Sequence, residues 1–136
     1  MSETQFADVL SVLVTGTPGA YQFAVEVASP DTGCDQYADW WEVIDEDGNL
    51  LYRRILLHSH VNDQPFTRSG EPVNIAEDTL VYIRAHMNTT GYGGQLLSGT
   101  VRDGFKPAEV EAPYGDDTGF GFGLERMPPQ PEDCAF

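Results

Sequence analysis

Short runs of alternating apolar and polar residues recur along most of the chain, and turns rich in glycine and proline separate them. In the clearest run, residues 21–28, Phe23, Val25 and Val27 fall on one side of an extended backbone and polar or small residues on the other. A period of two is typical of a strand that buries one face. No stretch shows the longer period of an amphipathic helix, so we predict an all-β protein.

About seven strands are predicted between residues 7 and 102, and the Asp47-Gly48 pair between the third and the fourth is a typical hairpin signal. In chain order they are 9–15, 21–28, 39–45, 50–61, 73–75, 79–87 and 95–101. Short strands joined by turns over a length of about 95 residues indicate an antiparallel β-sandwich with Greek-key connections.

The strand count, together with Trp40 and Trp41 on the third strand, resembles immunoglobulin-like and fibronectin type III domains. This resemblance covers residues 7–102 and implies an immunoglobulin-like sandwich. It departs from antibody domains, because neither the second nor the sixth strand carries a cysteine for a disulfide between the sheets. A jelly roll is the alternative, since one sequence does not determine the strand order.

The last part of the chain, residues 103–136, differs in composition from the rest. Glycine and proline recur in it, as in 119–123 and 128–131, and they disfavour a regular element of any length. We expect an extended tail that belongs to the same single domain, residues 1–136, and that packs its aromatic side chains on the sandwich. A disordered tail is the alternative.

The chain has two cysteines, Cys34 in a turn-like segment and Cys134 near the C-terminus. A disulfide between them would hold the tail on the sandwich and close a loop of about 100 residues, which is worth about 4–5 kcal/mol on chain-entropy grounds. Because disulfides persist in oxidising compartments, this pairing predicts a secreted, periplasmic or cell-surface protein. Two free thiols would indicate the cytoplasm. The first residues lack a signal-peptide pattern, so we expect either a cytoplasmic protein or a mature form with an added start methionine.

The charge balance excludes several kinds of partner. The chain has 22 acidic and 7 basic residues and a net charge of -15, which repels nucleic acids and anionic membranes. No run approaches the roughly 20 apolar residues of a membrane-spanning helix, so membrane insertion is not expected. Such a surface suits either work in high salt, where screening removes the self-repulsion, or an acidic extracellular protein.

All three histidines lie in two predicted strands, His58 and His60 in the fourth and His86 in the sixth. Alternation places them on the less apolar faces, with Tyr52 and Arg54 beside the pair. Two imidazoles in a His-x-His pattern lie about 7 Å apart on one side of a strand. A third histidine from the same sheet would complete a site for one Zn²⁺ or Cu²⁺. We therefore predict a metal site formed by these histidines and no other cofactor.

The alternative is that these histidines only bond to neighbouring carboxylates. Asp63 and Glu42 are the acids that would either complete the metal site or fix a ring tautomer. Arg54 and Arg84, predicted on the same faces, repel a cation unless acids pair with them. In an immunoglobulin-like order the fourth and sixth strands are also not adjacent, which would hold His86 away from the pair. A pH sensor is a further possibility for histidines in so acidic a domain.

The pattern His58-Ser59-His60, followed by Asp63 and Gly70, resembles the first metal-binding motif of the cupins. The resemblance implies a small metal-dependent enzyme with its ligands in a deep pocket. The chain departs from the motif, because Asp63 or Gln64 replaces the glutamate and no Pro-x-Gly precedes His86.

Other catalytic signatures are missing: the sequence has no nucleophile elbow and no phosphate-binding glycine loop before a helix. We therefore favour a secreted or periplasmic non-catalytic β-sandwich binding module that holds Zn or Cu on a histidine-rich sheet face. The alternatives are a structural or recognition domain of the cell envelope without a metal, and a cupin-type metalloenzyme. The sequence leaves open whether the partner is a metal ion, a glycan or a protein.

Overall fold

A computed structural model describes residues 5–108, 123–132 and 134–135. The described residues form strands and one short 3₁₀ turn, with no α-helix among them. The strands are Asp8–Thr17 (β1), Ala20–Ala28 (β2), Ala38–Asp45 (β3), Leu50–Ile55 (β4), Phe66–Ser69 (β5), Val81–Met87 (β6), Leu96–Thr100 (β7) and Gly104–Ala108 (β8), and the 3₁₀ turn is Leu124–Arg126.

The strands form two antiparallel sheets, one with the order β1-β2-β5 and one with the order β4-β3-β6-β7-β8. Alternate side chains of facing strands fill the space between the sheets. The core includes Phe23, Val25 and Val27 of β2, Trp41 and Val43 of β3, and Val81, Ile83, Ala85 and Met87 of β6. The predicted all-β sandwich is confirmed, while the choice between an immunoglobulin-like and a jelly-roll fold stays a prediction.

Strand β3, which lies between β4 and β6, is buried on both of its faces, unlike a typical strand of an antiparallel sheet. Its inward residues Trp41 and Val43 belong to the core, and its outward residues Trp40, Glu42 and Ile44 are at most 2% exposed. The outer face of the five-stranded sheet is therefore covered by other parts of the chain.

The predicted long strand 50–61 is wrong beyond Ile55, because β4 ends there and residues 56–65 form a loop. Beyond Leu56, whose amide still donates to the carbonyl of Asp39 in β3, the backbone of this loop leaves the sheet, and the amide of His60 donates to Asp31 Oδ2 at 2.8 Å. The predicted strand 73–75 is reduced to an isolated bridge between Val73 and Tyr21.

Two strands were not predicted, β5 and β8, and both are short strands at the edge of a sheet. Pro107 lies in β8, where proline is tolerated because an edge strand leaves one side without a partner. The expectation that residues 103–136 contain no regular element is therefore wrong for β8 and for the 3₁₀ turn. Among the aromatic residues of the expected tail, Phe105 packs against the core as expected, and Tyr114, Phe120, Phe122 and Phe136 lie outside the described residues.

The predicted disulfide between Cys34 and Cys134 is present, and it links positions separated by 100 residues with their Cα atoms 5.6 Å apart. We call residues 123–132 and 134–135 the C-terminal strap. Beside the disulfide, the amide of Ala135 donates to the carbonyl of Leu57 at 2.8 Å. The end of the strap is thus attached to the sandwich both covalently and by a backbone hydrogen bond.

Replacing both cysteines, as in Cys34→Ser with Cys134→Ser, is expected to lower the free energy of unfolding by about 2–5 kcal/mol, because the open chain gains entropy when it unfolds. Urea denaturation monitored by tryptophan fluorescence measures this change. Wild-type protein under a reductant is the control and should match the double variant. Equal stability of the variant and the oxidised wild type would contradict the prediction.

Candidate functional site

The outer face of the five-stranded sheet carries a row of polar and aromatic side chains. In the pairing register, Trp40 of β3 lies opposite His86 of β6, and Glu42 lies between Arg53 of β4 and Arg84 of β6. Directly paired residues of adjacent strands point to the same side of a sheet. These five side chains therefore share one face.

This register corrects the predicted faces of β4, where Tyr52 and Arg54 were expected on the histidine face. Tyr52 instead points into the sandwich and packs edge-on against Trp41, with ring centroids 5.8 Å apart. Arg54 Nε donates to the carbonyl of Ser69 in β5, across the sandwich, at 2.7 Å. The outward arginine of β4 is Arg53, because the carboxylate of Glu42 lies directly opposite it.

Glu42 is fully buried and is the centre of an ionic cluster. Its Oε1 accepts a hydrogen bond from Arg53 Nε at 2.8 Å, and its Oε2 accepts one from Arg84 Nε at 2.6 Å. The hydroxyl of Tyr92 also donates to Oε2, at 2.9 Å. Burial and the adjacent carboxylate raise the pKa of Tyr92, so the phenol stays protonated and remains a donor. The cluster thus satisfies both carboxylate oxygens with charged or phenolic donors.

Trp40 lies between two cationic or aromatic groups on the same face. The Arg53 guanidinium lies 4.0 Å from the centre of the indole, and the His86 ring stacks on the indole with centroids 3.8 Å apart. His86 Nδ1 is 2.6 Å from Asp39 Oδ1, and Nε2 is 2.6 Å from Glu125 Oε2. The imidazole can donate to both carboxylates only when both of its nitrogens carry a proton.

The C-terminal strap covers this face through contacts to its backbone. Arg53 donates from Nη1 to the carbonyls of Met127 and Pro129, at 2.6 and 3.0 Å, and from Nη2 to that of Leu124 at 2.6 Å. Leu124 is buried, and Glu125 bonds to His86. The sheet face therefore holds the strap in place and is closed to a ligand while the strap is bound.

His58 and His60 lie elsewhere, in the loop that follows β4. Their ring centroids are 4.6 Å apart. Together with Gly33, Arg68 and the rest of the segment 58–63, they line an open cleft of about 470 Å³.

His60 is buried at the base of this cleft and is held in one orientation. Its ring stacks on Phe66 with centroids 3.8 Å apart, and Arg68 Nη2 lies 2.9 Å from Nε2. A guanidinium can only donate, so Nε2 accepts and the neutral ring carries its proton on Nδ1. Burial, first, and then the charge of Arg68 lower the pKa of His60, in agreement with a neutral ring.

Buried polar side chains anchor the loop that carries the histidine pair. Asp31 accepts hydrogen bonds from the His60 and Ala38 amides and from the Ser29 hydroxyl, at 2.7 to 3.0 Å. Gln64 Nε2 donates to the carbonyl of His60 at 2.8 Å. The loop thus has a defined shape although it has no regular secondary structure.

The structure brings together two of the three histidines on which the metal prediction rests. His58 and His60 share the cleft, whereas His86 lies on the covered face with a carboxylate at each ring nitrogen. As expected for non-adjacent strands, β3 separates β4 from β6. Over residues 5–108, 123–132 and 134–135, no group of three or more His, Cys, Asp or Glu side chains is placed to hold a metal ion. Metal binding stays a prediction. Glu42, one of the two acids considered for completing the metal site, is bonded to Arg53 and Arg84 on the covered face.

Several residues of the two sites were not found from the sequence. Arg68 lies in β5, a strand that was not predicted. Glu125 lies in the strap, which is held largely through its own backbone carbonyls, and no sequence pattern reveals such contacts. Glu42 did carry a signal, since it is an acid between Trp41 and Val43 in a strongly apolar strand. A buried acid in such a strand requires basic partners.

Comparison with known proteins gives one relative and no family. No known protein family matches the chain, and neither does a solved structure. The chain is 42% identical over 115 residues to a protein of Halomicrobium mukohataei described as "Putative lipoprotein". The match covers 77% of this chain and 56% of that protein, so the chain spans little more than half the length of its relative. Among the described residues, no helix has the length and apolar character needed to cross a membrane.

Glu42→Gln is expected to lower the free energy of unfolding by about 3–5 kcal/mol, because it leaves two buried guanidinium groups without a countercharge. Thermal and urea denaturation measure this loss. Glu77→Gln is the matched control, because Glu77 pairs with Arg102 at 3.0 Å where both side chains are more than half exposed. Water already screens that pair, so its loss should be much smaller. Equal losses for the two variants would contradict the assigned role of Glu42.

Proposed function

We propose that this chain is a non-catalytic binding module that works outside the cytoplasm, attached to or near the cell envelope. The observation that carries the proposal is the disulfide between Cys34 and Cys134, which fastens the C-terminal strap. Structural disulfides persist in oxidising compartments and are rare in the cytosol. The name of the relative, a lipoprotein, supports the same location.

The chemistry of the covered face supports a role in binding over one in catalysis. A general base or nucleophile needs an accessible site with room for a substrate. Glu42 is buried between two arginines, and His86 is bonded to two carboxylates under the strap. These groups stabilise the fold, whereas the cleft beside His58 and His60 is open and is lined mainly by polar side chains.

Cell fractionation combined with thiol trapping tests the location. In the source cells the protein should be recovered outside the cytosolic fraction, and Cys34 and Cys134 should resist alkylation until a reductant is added. A cytosolic protein of known free thiols serves as the control for trapping. Recovery in the cytosol with both thiols alkylated would overturn the proposal.

A metal ion is the second candidate ligand, favoured by the approach of His58 to His60 in an open cleft that Asp63 also lines. Two imidazoles and a carboxylate are a donor set that Zn²⁺ accepts. His58 Nδ1 lies 2.9 Å from the Ser59 carbonyl, which places the lone pair of the neutral ring on Nε2. Binding at His60 Nε2 would require Arg68 to move away.

Isothermal titration of the metal-free protein with Zn²⁺ and with Cu²⁺ tests this second candidate. We expect one ion per chain and loss of binding in His58→Ala and in His60→Ala. His86→Gln is the control and should retain binding, because His86 lies on the covered face. No binding heat with the wild type, or equal loss in all three variants, would contradict a site at the pair.

A further inference from the structure

Among the described residues, Arg68 lacks an ion-pair partner, as does Arg54, which donates to the carbonyls of Ser69 and Ile55 and does not line the cleft beside His60. Arg53, Arg84 and Arg102 each form an ion pair with a glutamate. In the part of the chain that the structure describes, Arg68 has no carboxylate within ion-pair distance. It lines the cleft of about 470 Å³ together with His58 and His60. An arginine without a carboxylate is unexpected in a chain of net charge -15.

The guanidinium of Arg68 is held in place with donors to spare. Nη1 donates to the Thr67 carbonyl at 2.7 Å, and Nη2 donates to His60 Nε2 at 2.9 Å. The group also lies 5.7 Å from the centre of the Phe66 ring. These bonds use two of the five N–H donors of an arginine. A fixed fork of unused donors beside an open cleft is suited to a planar oxygen anion.

The surrounding charges decide which anion fits. Asp63 also lines the cleft, and Asp31 lies behind His60 with Oδ2 4.0 Å from the ring nitrogen Nδ1. A doubly charged phosphate would be repelled by both carboxylates and by the negative field of the whole chain. A singly charged carboxylate meets less repulsion and still takes two parallel hydrogen bonds from one guanidinium.

An exposed aliphatic side chain lines the cleft beside its polar residues, and another precedes His58 in the chain. Val61, which lines the cleft, is 47% exposed, and Leu57, next to His58 in the chain, is 63% exposed. Large aliphatic side chains exposed beside a cleft with one fixed polar group are typical of a ligand site. They indicate that the carboxylate belongs to a molecule with an apolar body.

We propose that this cleft binds a carboxylate carried on an apolar group, with Arg68 as the anchoring cation and His60 as a positioning residue. This inference rests on the proposed function as a binding module, and it defines the chemistry of the ligand. Two sources supply such a group: the C-terminus of a peptide with an apolar last residue, and a free aliphatic acid.

Titration of the full, oxidised chain, followed by two-dimensional NMR and calorimetry in the presence of EDTA, tests the proposal. The probes are N-acetyl-leucine for a peptide terminus, hexanoate for a free acid, and N-acetyl-leucinamide as the neutral control. Binding of either acid should be saturable and should shift the imidazole signals of His58 and His60. Preference for one acid identifies the source, and the amide should not bind.

Variants then test the anchor. Arg68→Gln should weaken binding of the acids by about tenfold or more, because a charge-assisted pair is lost. Arg68→Lys keeps the charge but not the fork, so it should restore only part of the affinity. Arg102→Gln removes an arginine elsewhere and should leave affinity unchanged. Dispersed NMR spectra confirm that each variant is folded.

Some outcomes would overturn the carboxylate site: no saturable binding of either acid, equal binding of the amide, or unchanged affinity in Arg68→Gln and Arg68→Lys. Binding that requires added Zn²⁺ would also overturn it, in favour of a metal site. These results are distinguishable from failure of the proposed function, because cell fractionation and thiol trapping report the location whatever the cleft binds.

Discussion

The buried carboxylate of Glu42 is the interaction on which the outer half of the molecule depends. It joins β3 to both neighbouring strands through Arg53 and Arg84, and to the loop between β6 and β7 through Tyr92. Taking these charges out of water is costly unless every donor and acceptor finds a partner. Arg53 meets that requirement by turning its remaining donors outward, to carbonyls of the strap. The position of the strap therefore follows from the pairing of Glu42 with arginines of the two strands beside β3.

This arrangement explains why a sheet face that would usually meet water is closed. The strap supplies carbonyl acceptors to Arg53, the carboxylate of Glu125 to His86, and the apolar side chain of Leu124. The disulfide at Cys34 then limits how far the strap can move away. The covered face therefore stabilises the fold, and recognition of a ligand is left to surfaces that the strap does not cover. The cleft in the loop after β4 is such a surface.

The sequence predicts those parts of the fold in which burial is one-sided and regular. β2 and β6 follow from alternation, and the cysteine pair follows from a tail that needed attachment. The strands β5 and β8 were missed because four or five residues beside proline do not establish a period. In β4, Arg53 stands in a row with Leu51 and Ile55, so alternation predicts the wrong inward face. Only the register opposite Glu42 identifies Arg53 as an outward residue.

The histidines show why the candidate site was harder to predict than the fold. Their concentration in two segments was a real pattern, but it combines two environments: His86 belongs to the covered face, and His58 and His60 to the cleft. The extension of β4 through His60 failed because Asp31, distant in sequence, captures the His60 amide and turns the chain out of the sheet. Such tertiary capture leaves no local signal.

The distribution of the few cations decides what this acidic chain can recognise. With only 7 basic residues against 22 acidic ones, every arginine that pairs with an acid of the chain is no longer available to bind an anion at the surface. Arg53 and Arg84 are buried with Glu42, and Arg102 is paired with Glu77. The net negative charge repels anions over distances up to about a Debye length, and salt reduces that repulsion while it affects a partly buried contact pair less. Recognition of an anion is thereby confined to short range, where one fixed guanidinium such as that of Arg68 outweighs the distant charges. The same reasoning disfavours ligands with several charges and favours those whose remaining surface is apolar.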